Sequence, residues 1–380
     1  MSYVTKNKKE IPAKSPPGNV VMCKCRYECK QLVDMKTRLF EGYHALNMNE
    51  QGNYLMGLID ILPVQRRRHV SRMAVRELPG DLAVAAAEEL HEDKDRRDDS
   101  IAHIKQWLSK QPHLAARTDD QWILAFLRSC KYSLESTKEK IDSYYSLRTA
   151  LPEMFKNRDP LSPELQEIFN LGVCFPLPYL DVHGRRIILM RPGKYQPTLD
   201  IMHRVNKLTY MMMEILLLED DYLSIKGMVT LLDLSNVTLG HMTLMTPAMV
   251  KKMSTVFQDG YPIRLKGMNF FNTPPQFEVV FNLFKTFMKD KLRKRLFVHG
   301  SNRESLYEQL PRDVLPEEYG GTKGTTDGMT EMWRKKVESY REWFIADEQF
   351  GVDEKKRTGK PKNYEDVFGV EGSFRTLNVD

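Results

Sequence analysis

Apolar positions between residues 82 and 152 recur with the period of amphipathic helices. Three stripes are clear, and each follows polar residues of the kind that cap a helix N-terminus. The stripes are Ile101, Ile104, Trp107 and Leu108; Trp122, Ile123, Phe126 and Leu127; and Ile141, Tyr144, Tyr145 and Arg148. The capping candidates are Asp99 or Ser100, residues 118–120, and Ser133 or Ser136. This pattern predicts a small bundle of three short helices, and we assign residues 73–152 to a helical leading domain.

Beyond Pro160 the pattern changes to short apolar runs that alternate with helical stretches. Runs at 173–177 and 186–191 flank a turn at 181–184, which predicts a hairpin. Further strands are predicted at 227–234, 265–271 and 296–299, and helices at 205–218, 247–257 and 277–289. Strands that alternate with helices favour parallel pairing. The predicted fold class is therefore α/β with a mixed, largely parallel sheet over residues 160–325, followed by a C-terminal helix and tail over 326–380.

Residues 1–72 show no sustained helical or strand period. They hold 13 Lys and Arg against six Asp and Glu, so this segment accounts for the chain's net charge of +6. We interpret it as a disordered basic tail. Because the basic excess lies outside the predicted domains, the charge does not indicate a nucleic-acid partner.

The composition is that of an ordinary globular protein. The chain has 380 residues, of which 41% are apolar and 28% charged, and it contains no apolar run long enough for a membrane span. The first residues lack the apolar core of a secretory signal, and five cysteines do not suggest a disulfide scaffold. We expect a soluble protein of the cytoplasm.

The sequence lacks the usual signatures of enzymes. It contains no GxSxG, HExxH, GxGxxG or CxxC motif, and its nine histidines show no metal-ligand spacing. Cys23, Cys25 and Cys29 lie close together, which raises a zinc site, but the nearest histidine is His44 and free thiols are the default interpretation. We therefore expect no catalytic residues, no metal and no cofactor.

Methionines stand out in two places. Met242, Met245, Met249 and Met253 have the spacing of one helical face, and three more lie at 211–213. Such a stripe usually packs in a core. Because thioethers adapt to irregular apolar shapes, the alternative is a pocket for a bulky, flexible lipid.

An amphipathic segment lies at residues 272–295. An apolar stripe that contains four phenylalanines is followed by five Lys and Arg within residues 289–295. The segment is either a surface helix with a solvated basic end or an element that meets an anionic membrane.

These features occur in the order seen in a known family. The marks are LAFLR at 124–128, GMVTLLDLSN at 227–236, MTP at 245–247, YPIRLKGMNFFNTP at 261–274, RLFVHGSN at 295–302 and LPEEYGG at 315–321. Over residues 119–321 the chain resembles the CRAL-TRIO lipid-transfer family, in particular the branch of tocopherol carriers, retinaldehyde carriers and clavesins. The resemblance implies a leading helical domain and a CRAL-TRIO lipid-binding domain with a mobile gate helix.

The resemblance also implies which residues contact the ligand. The family's pocket contacts fall on Thr209, Met213, Met228, Leu232, Leu239, Met245, Met253, Val256, Phe257, Leu265 and Met268. The gate helix would present Phe277, Phe281, Phe284 and Met288.

A basic cleft beside the gate binds phosphatidylinositol bisphosphates in the family's tocopherol carrier. Its two pairs of basic residues fall on Arg264 and Lys266, and on Lys291 and Arg295. A fifth family arginine falls on Cys130, with Lys131 beside it, which departs from the family pattern.

Two functions are compatible with this resemblance. The first is an intracellular carrier of a tocopherol- or retinoid-like lipid that exchanges its ligand at membranes containing phosphatidylinositol bisphosphate. The alternative is a phosphoinositide-binding regulator of endosomal or lysosomal trafficking. Both imply a cytoplasmic protein in peripheral contact with membranes, endosomes among them.

Overall fold

The computed structural model of the chain describes residues 75–362 together with Tyr364 and Phe368, all within the unit Ser71–Asp380. The predicted basic tail, with Cys23, Cys25 and Cys29, lies outside the described residues. None of the helices within these residues has both the length and the hydropathy of a membrane-spanning helix, and no group of three potential metal ligands is found among them.

The leading part of the described chain is helical. Its elements are α1 (Gly80–Leu90), α2 (Lys94–Leu108), the short strand β1 (Leu114–Ala115), α3 (Asp120–Ser129), α4 (Leu134–Ala150), α5 (Pro152–Phe155) and α6 (Pro163–Leu171). The three predicted helices correspond to α2, α3 and α4, and α1 adds a fourth. The prediction for the start of α2 is wrong, because its N-cap is Asp93, whose carboxylate accepts a hydrogen bond from Asp95 N at 2.9 Å. Ser133 caps α4, as one of the two predicted alternatives requires.

The predicted lipid-binding domain, residues 160–325, contains a five-stranded sheet among the described residues. Its strands are β2 (Cys174–Leu180), β3 (Arg186–Met190), β4 (Met228–Asp233), β5 (Leu265–Phe271) and β6 (Leu296–Gly300), in the order β2-β3-β4-β5-β6. β2 pairs antiparallel with β3, and every other pair is parallel. The hairpin and the mixed, largely parallel sheet are confirmed. Continuous apolar runs predict such strands well, because both faces of a central parallel strand are covered.

Helices connect these strands and cover the sheet. They are α7 (Leu199–Glu219), α8 (Asp221–Lys226), α9 (Leu239–Thr243), α10 (Pro247–Thr255), α11 (Phe277–Phe287), α12 (Asp290–Arg293) and α13 (Arg303–Gln309), with a π-helical turn at Val256–Gly260. The predicted helix at 277–289 is thus two residues too long, and Met288 follows α11 rather than belonging to it.

The methionine stripe does not lie on one helix. Met242 belongs to α9 and Met253 to α10, because the chain starts a new helix at Pro247. Proline fits the first position of a helix, where its missing N–H is not needed. The Thr246 hydroxyl caps the new helix by accepting from Met249 N at 3.2 Å. Regular spacing across a helix boundary therefore gave a wrong prediction of a single face.

The C-terminal segment returns to the leading helices. It forms α14 (Thr326–Ser339), α15 (Arg341–Asp347) and β7 (Gly351–Val352). β7 pairs antiparallel with β1, with Leu114 opposite Val352. The segment is therefore more than the predicted helix and tail, since its described part joins the leading domain.

A buried ion cluster holds this return in place. The Asp347 carboxylate accepts from Arg148 at 2.5 Å and also from Arg117 and Arg158. Arg158 donates in addition to Glu214 at 2.5 Å, and Arg158, Glu214 and Asp347 are fully buried. Burial alone would raise the pKa of Asp347, but the three guanidinium groups lower it to about 2.

Candidate functional site

Two apolar cavities lie against α11. The first, of about 160 Å³, is bounded by α7, the ends of β4 and β5, α9 and α11. The second, of about 140 Å³, lies between α7, the middle of the sheet, α10 and the residues that follow α11. Four residues line both cavities: Met190, Asn206, Met253 and Phe284. The shared walls make the two cavities adjacent lobes of one site.

Most of the predicted pocket residues lie on these walls. Leu232, Met245 and Met253 line the first cavity, and Thr209, Met213, Met228, Met253, Phe257, Leu265 and Met268 line the second. Leu239 does not, because it begins the short helix α9 at the surface with 69% of its area exposed. Val256 packs in the main core instead, at the point where the bonding pattern changes to a π-helical turn. Such a turn shifts which residues share a helix face, so helical spacing fails there.

The aromatic face of α11 forms the roof of the site. Phe277, Phe281 and Phe284 line the first cavity, and Phe284 and Met288 line the second. The rings of Phe277 and Phe281 stack with 4.9 Å between centroids. On the opposite side Val279 is 75% exposed. All four predicted gate residues thus border the cavities, and we call α11 the gate helix below.

The side chain of Gln258 forms two hydrogen bonds with the backbone at the C-terminal end of the gate helix. Its side-chain nitrogen donates to the Phe287 carbonyl at 3.0 Å, and its oxygen accepts from Lys289 N at 3.0 Å. Each hydrogen bond of this kind contributes about 1 kcal/mol to stability. The sequence prediction missed this residue, because its role depends on contacts with residues 29 and 31 positions further along the chain.

Three polar side chains on the cavity walls were also missed. They are Asn206 of α7, Thr230 of β4 and Ser254 of α10, and all three line the second cavity. Thr230 interrupts the apolar run at 227–234, which is a signal that could have drawn attention to it, whereas Asn206 and Ser254 have polar neighbours and carry no such signal. No Asp, Glu, Lys or Arg lines either cavity within the described part of the chain.

A group of basic residues lies around Glu89 of α1. The Glu89 carboxylate binds Lys226 Nζ at 3.1 Å, Arg264 Nη2 at 3.1 Å and Lys266 Nζ at 3.5 Å. Burial alone would raise the pKa of Glu89, but these three cations leave it lowered from its ordinary value. The carboxylate therefore stays ionised at neutral pH and holds the cations together.

Arg295 belongs to the same positive region. Partial desolvation, followed by the charges of Arg264 and Arg185, lowers the pKa of Arg295. Desolvation, followed by the charge of Arg264, likewise lowers that of Lys266. We call Lys226, Arg264, Lys266 and Arg295 the cation cluster. Gly227 allows this arrangement, because its φ is +87° and a Cβ there would lie 2.2 Å from the Arg264 carbonyl oxygen.

The structure thus brings together three of the four predicted headgroup residues. Lys291, the fourth, is exposed on α12, and no ion pair links it to the cluster in the described residues. Lys226 is a further member of the cluster, and the sequence analysis did not predict it. Cys130 is the C-cap residue that follows α3, its thiol lies 3.6 Å from Ser129 Oγ, and Lys131 beside it is exposed.

Comparisons with known proteins agree with this architecture. Residues 170–321 match the CRAL/TRIO domain, and residues 93–165 match the Pinta-like UBA domain, which spans α2 to the start of α6. The alpha-tocopherol transfer protein-like protein of Mus musculus is 32% identical over 274 residues, which cover 72% of this chain and 78% of that protein. Clavesin-1 of Xenopus laevis is 30% identical over 62% of this chain and 70% of its own length.

A solved structure, that of Sfh5, aligns with a TM-score of 0.44 and 18% identity over 69% of this chain and 99% of that chain. The family assignment rests on the two sequence relatives and the matched domain. The chain belongs to the CRAL-TRIO family of lipid-binding and lipid-transfer proteins, which are not enzymes.

Proposed function

We propose that the protein carries one small hydrophobic lipid, of the tocopherol or retinoid type, in the two-lobed site beneath the gate helix. It would exchange that lipid at membranes that contain phosphatidylinositol bisphosphate. The observation that carries the proposal is the pair of adjacent apolar cavities whose shared roof is the aromatic face of a single amphipathic helix. Movement of that one helix would open both lobes.

The energetics of exchange favour opening at a membrane. A lipid that passes from the pocket to a bilayer exchanges one apolar environment for another, so the net free-energy change can be small. Exposure of about 300 Å² of lipid to water would cost roughly 7 kcal/mol. The phenylalanines of the gate helix, once turned outward, would enter the bilayer and cover the exit.

The identity of the cargo can be tested by extracting the purified full-length protein and analysing the extract by mass spectrometry. A carrier should yield one hydrophobic lipid in near-stoichiometric amount, and should move a fluorescent retinoid between vesicle populations. Vesicle binding with neither bound lipid nor transfer would favour the alternative, a phosphoinositide-dependent regulator of endosomal or lysosomal trafficking.

The cation cluster supports binding to an anionic headgroup. Its cations come from α8, from β5 and the residue before it, and from the end of the segment after the gate helix, so headgroup binding and gate opening would occur at the same place. Glu89 offers a carboxylate to this cluster from within the protein. A multiply charged inositol phosphate would present more negative charge than one carboxylate and could displace it.

Neutralising Lys226, Lys266 and Arg295 to glutamine should weaken binding to vesicles that contain phosphatidylinositol bisphosphate about a hundredfold, since each cation near an anionic surface contributes about 1 kcal/mol. Glu89→Gln should strengthen the same binding several-fold because a competing carboxylate is removed. Flotation of full-length protein with vesicles measures both effects, and raised salt should reduce them.

Lys110, Lys335 and Lys355, which are exposed and distant in sequence from the cluster, provide a matched control when changed to glutamine together. Equal binding by the cluster variant and this control variant would contradict the headgroup site. Lys291→Gln alone should cost about 1 kcal/mol or less, as expected for a solvated cation.

A further inference from the structure

Three buried polar atoms on the wall of the second cavity have no hydrogen-bond partner among the described residues. They are Asn206 Nδ2, Thr230 Oγ1 and Ser254 Oγ. The three residues are 7%, 4% and 7% exposed, and they come from α7, β4 and α10 respectively. We propose that they form a hydrogen-bonding site for the polar group of the cargo, and that this cargo is a neutral lipid alcohol. The inference rests on the proposed carrier function and specifies its ligand.

The reason for assigning a ligand to these atoms is the free-energy cost of burying them without a hydrogen-bond partner. A buried polar group without a partner costs about 1–3 kcal/mol, and three of them around one small cavity are unusual for a surface that only needs to be apolar. A ligand hydroxyl suits them, because it can accept a hydrogen bond from the Asn206 amide and donate one to a Thr230 or Ser254 hydroxyl. Asn206 also borders the first cavity, so the alkyl part of the ligand can extend there.

The walls discriminate against charged lipids. Neither cavity is lined by an Asp, Glu, Lys or Arg of the described residues that could pair with a carboxylate or phosphate. His241 lines the first cavity, but its Nδ1 accepts from Thr238 N at 3.1 Å and its Nε2 lies 2.9 Å from the Tyr195 carbonyl oxygen, so both ring nitrogens already have partners. Burial raises the pKa of Tyr210 and of Tyr261, which line the second cavity, so both stay neutral. An ionised head buried here would lack a counter-charge, which is far more costly than an unpaired hydroxyl.

The chain contains a matched internal control. Thr209 lines the same cavity, but its hydroxyl already donates to the Val205 carbonyl at 2.9 Å. Thr209→Val and Thr230→Val therefore remove the same atom from the same cavity. Only the second should remove a group that is available to a ligand.

The experiment uses three probes with one carbon skeleton: 1-hexadecanol, hexadecane and palmitate. Full-length protein is incubated with phosphatidylcholine vesicles that contain the three in equal amounts, reisolated, extracted and analysed by gas chromatography with mass spectrometry. Wild-type protein should take up the alcohol in preference to the alkane, and the palmitate least. Thr230→Val and Asn206→Leu should each reduce the ratio of alcohol to alkane about three- to tenfold, as expected for one hydrogen bond. Thr209→Val should leave the ratio unchanged.

The outcomes separate this inference from the carrier proposal. Uptake of alkane by each variant shows that it has folded and that its pocket is accessible. If wild-type protein takes up none of the probes, the carrier proposal fails. If it takes them up but the ratio is the same in wild type, Thr209→Val and Thr230→Val, the hydrogen-bonding site is overturned and the carrier proposal stands. Uptake of palmitate equal to that of the alcohol would overturn the assignment of a neutral ligand.

Discussion

Replacement of Asp347 by alanine should reduce the free energy of unfolding by about 3–5 kcal/mol, the cost of removing one partner from a buried ion pair. The reason is that Arg148 and Arg158, which are almost completely buried, both donate to this carboxylate. Without it, Glu214 would be the one carboxylate left to pair with both guanidinium groups among the described residues. Chemical denaturation of full-length protein measures the change.

Asp159→Ala is the matched control. Asp159 forms a two-pronged ion pair with Arg341 at 2.8 and 2.6 Å, but this pair is exposed to solvent. Exposed pairs contribute about 0–1 kcal/mol, so the control should unfold almost like wild type. Similar losses in both variants would mean that the buried cluster is not a special source of stability.

The lowered pKa of Asp347 makes the free energy of unfolding depend on pH in acid. Its folded pKa, about 2, lies below its ordinary value of 3.8, so its charge stabilises the protein fully above that value. The contribution is lost as the pH falls toward and through 2. Wild-type stability should therefore decline over this interval more steeply than that of Asp347→Ala.

Met253→Trp should reduce the amount of lipid bound by the purified protein more than about tenfold. Met253 is one of the residues shared by both lobes, so added volume there obstructs both at once. The extra atoms should cost only about 1–3 kcal/mol in stability, because they enter a cavity and not a filled core. Mass spectrometry of extracted lipid, together with a melting curve, distinguishes a blocked pocket from an unfolded chain.

Leu239→Trp is the control for this substitution. The family resemblance placed Leu239 in the pocket, whereas the structure places it at the surface. Lipid content should therefore remain at the wild-type level. Loss of lipid in this variant with retention in Met253→Trp would locate the binding site away from the two cavities.

The fold was predictable to the extent that it depends on local patterns. The bounds of β5, Leu265–Phe271, agree with the prediction because an apolar run between polar turns has few alternatives. The start of α2 could not be located from periodicity, since Asp93 caps it before the first apolar residue. The helix start at Pro247 was predicted and is confirmed, but the methionine spacing was extended across it and gave the wrong single face.

The candidate site was predictable where the family resemblance supplied positions. Nine of the eleven predicted pocket residues line the cavities. Leu239 and Val256 do not, because a short helix and a π-helical turn direct their side chains away from the cavities. Glu89 could not have been identified, since its partners lie more than 130 residues away in the sequence. Long-range ion pairs leave no periodic trace, so only the three-dimensional structure reveals them.

The pairing of β7 with β1 bears on how the protein is made. A ribosome releases about 5–20 residues per second, so Arg117 and Arg148 emerge roughly 10–50 s before Asp347. During that interval the leading helices cannot complete their interior, and a holding chaperone would have surface to bind. Synthesis that stops before residue 347 would leave these cations without that partner, so a shortened chain should be cleared by proteolysis rather than accumulate as a partly active carrier.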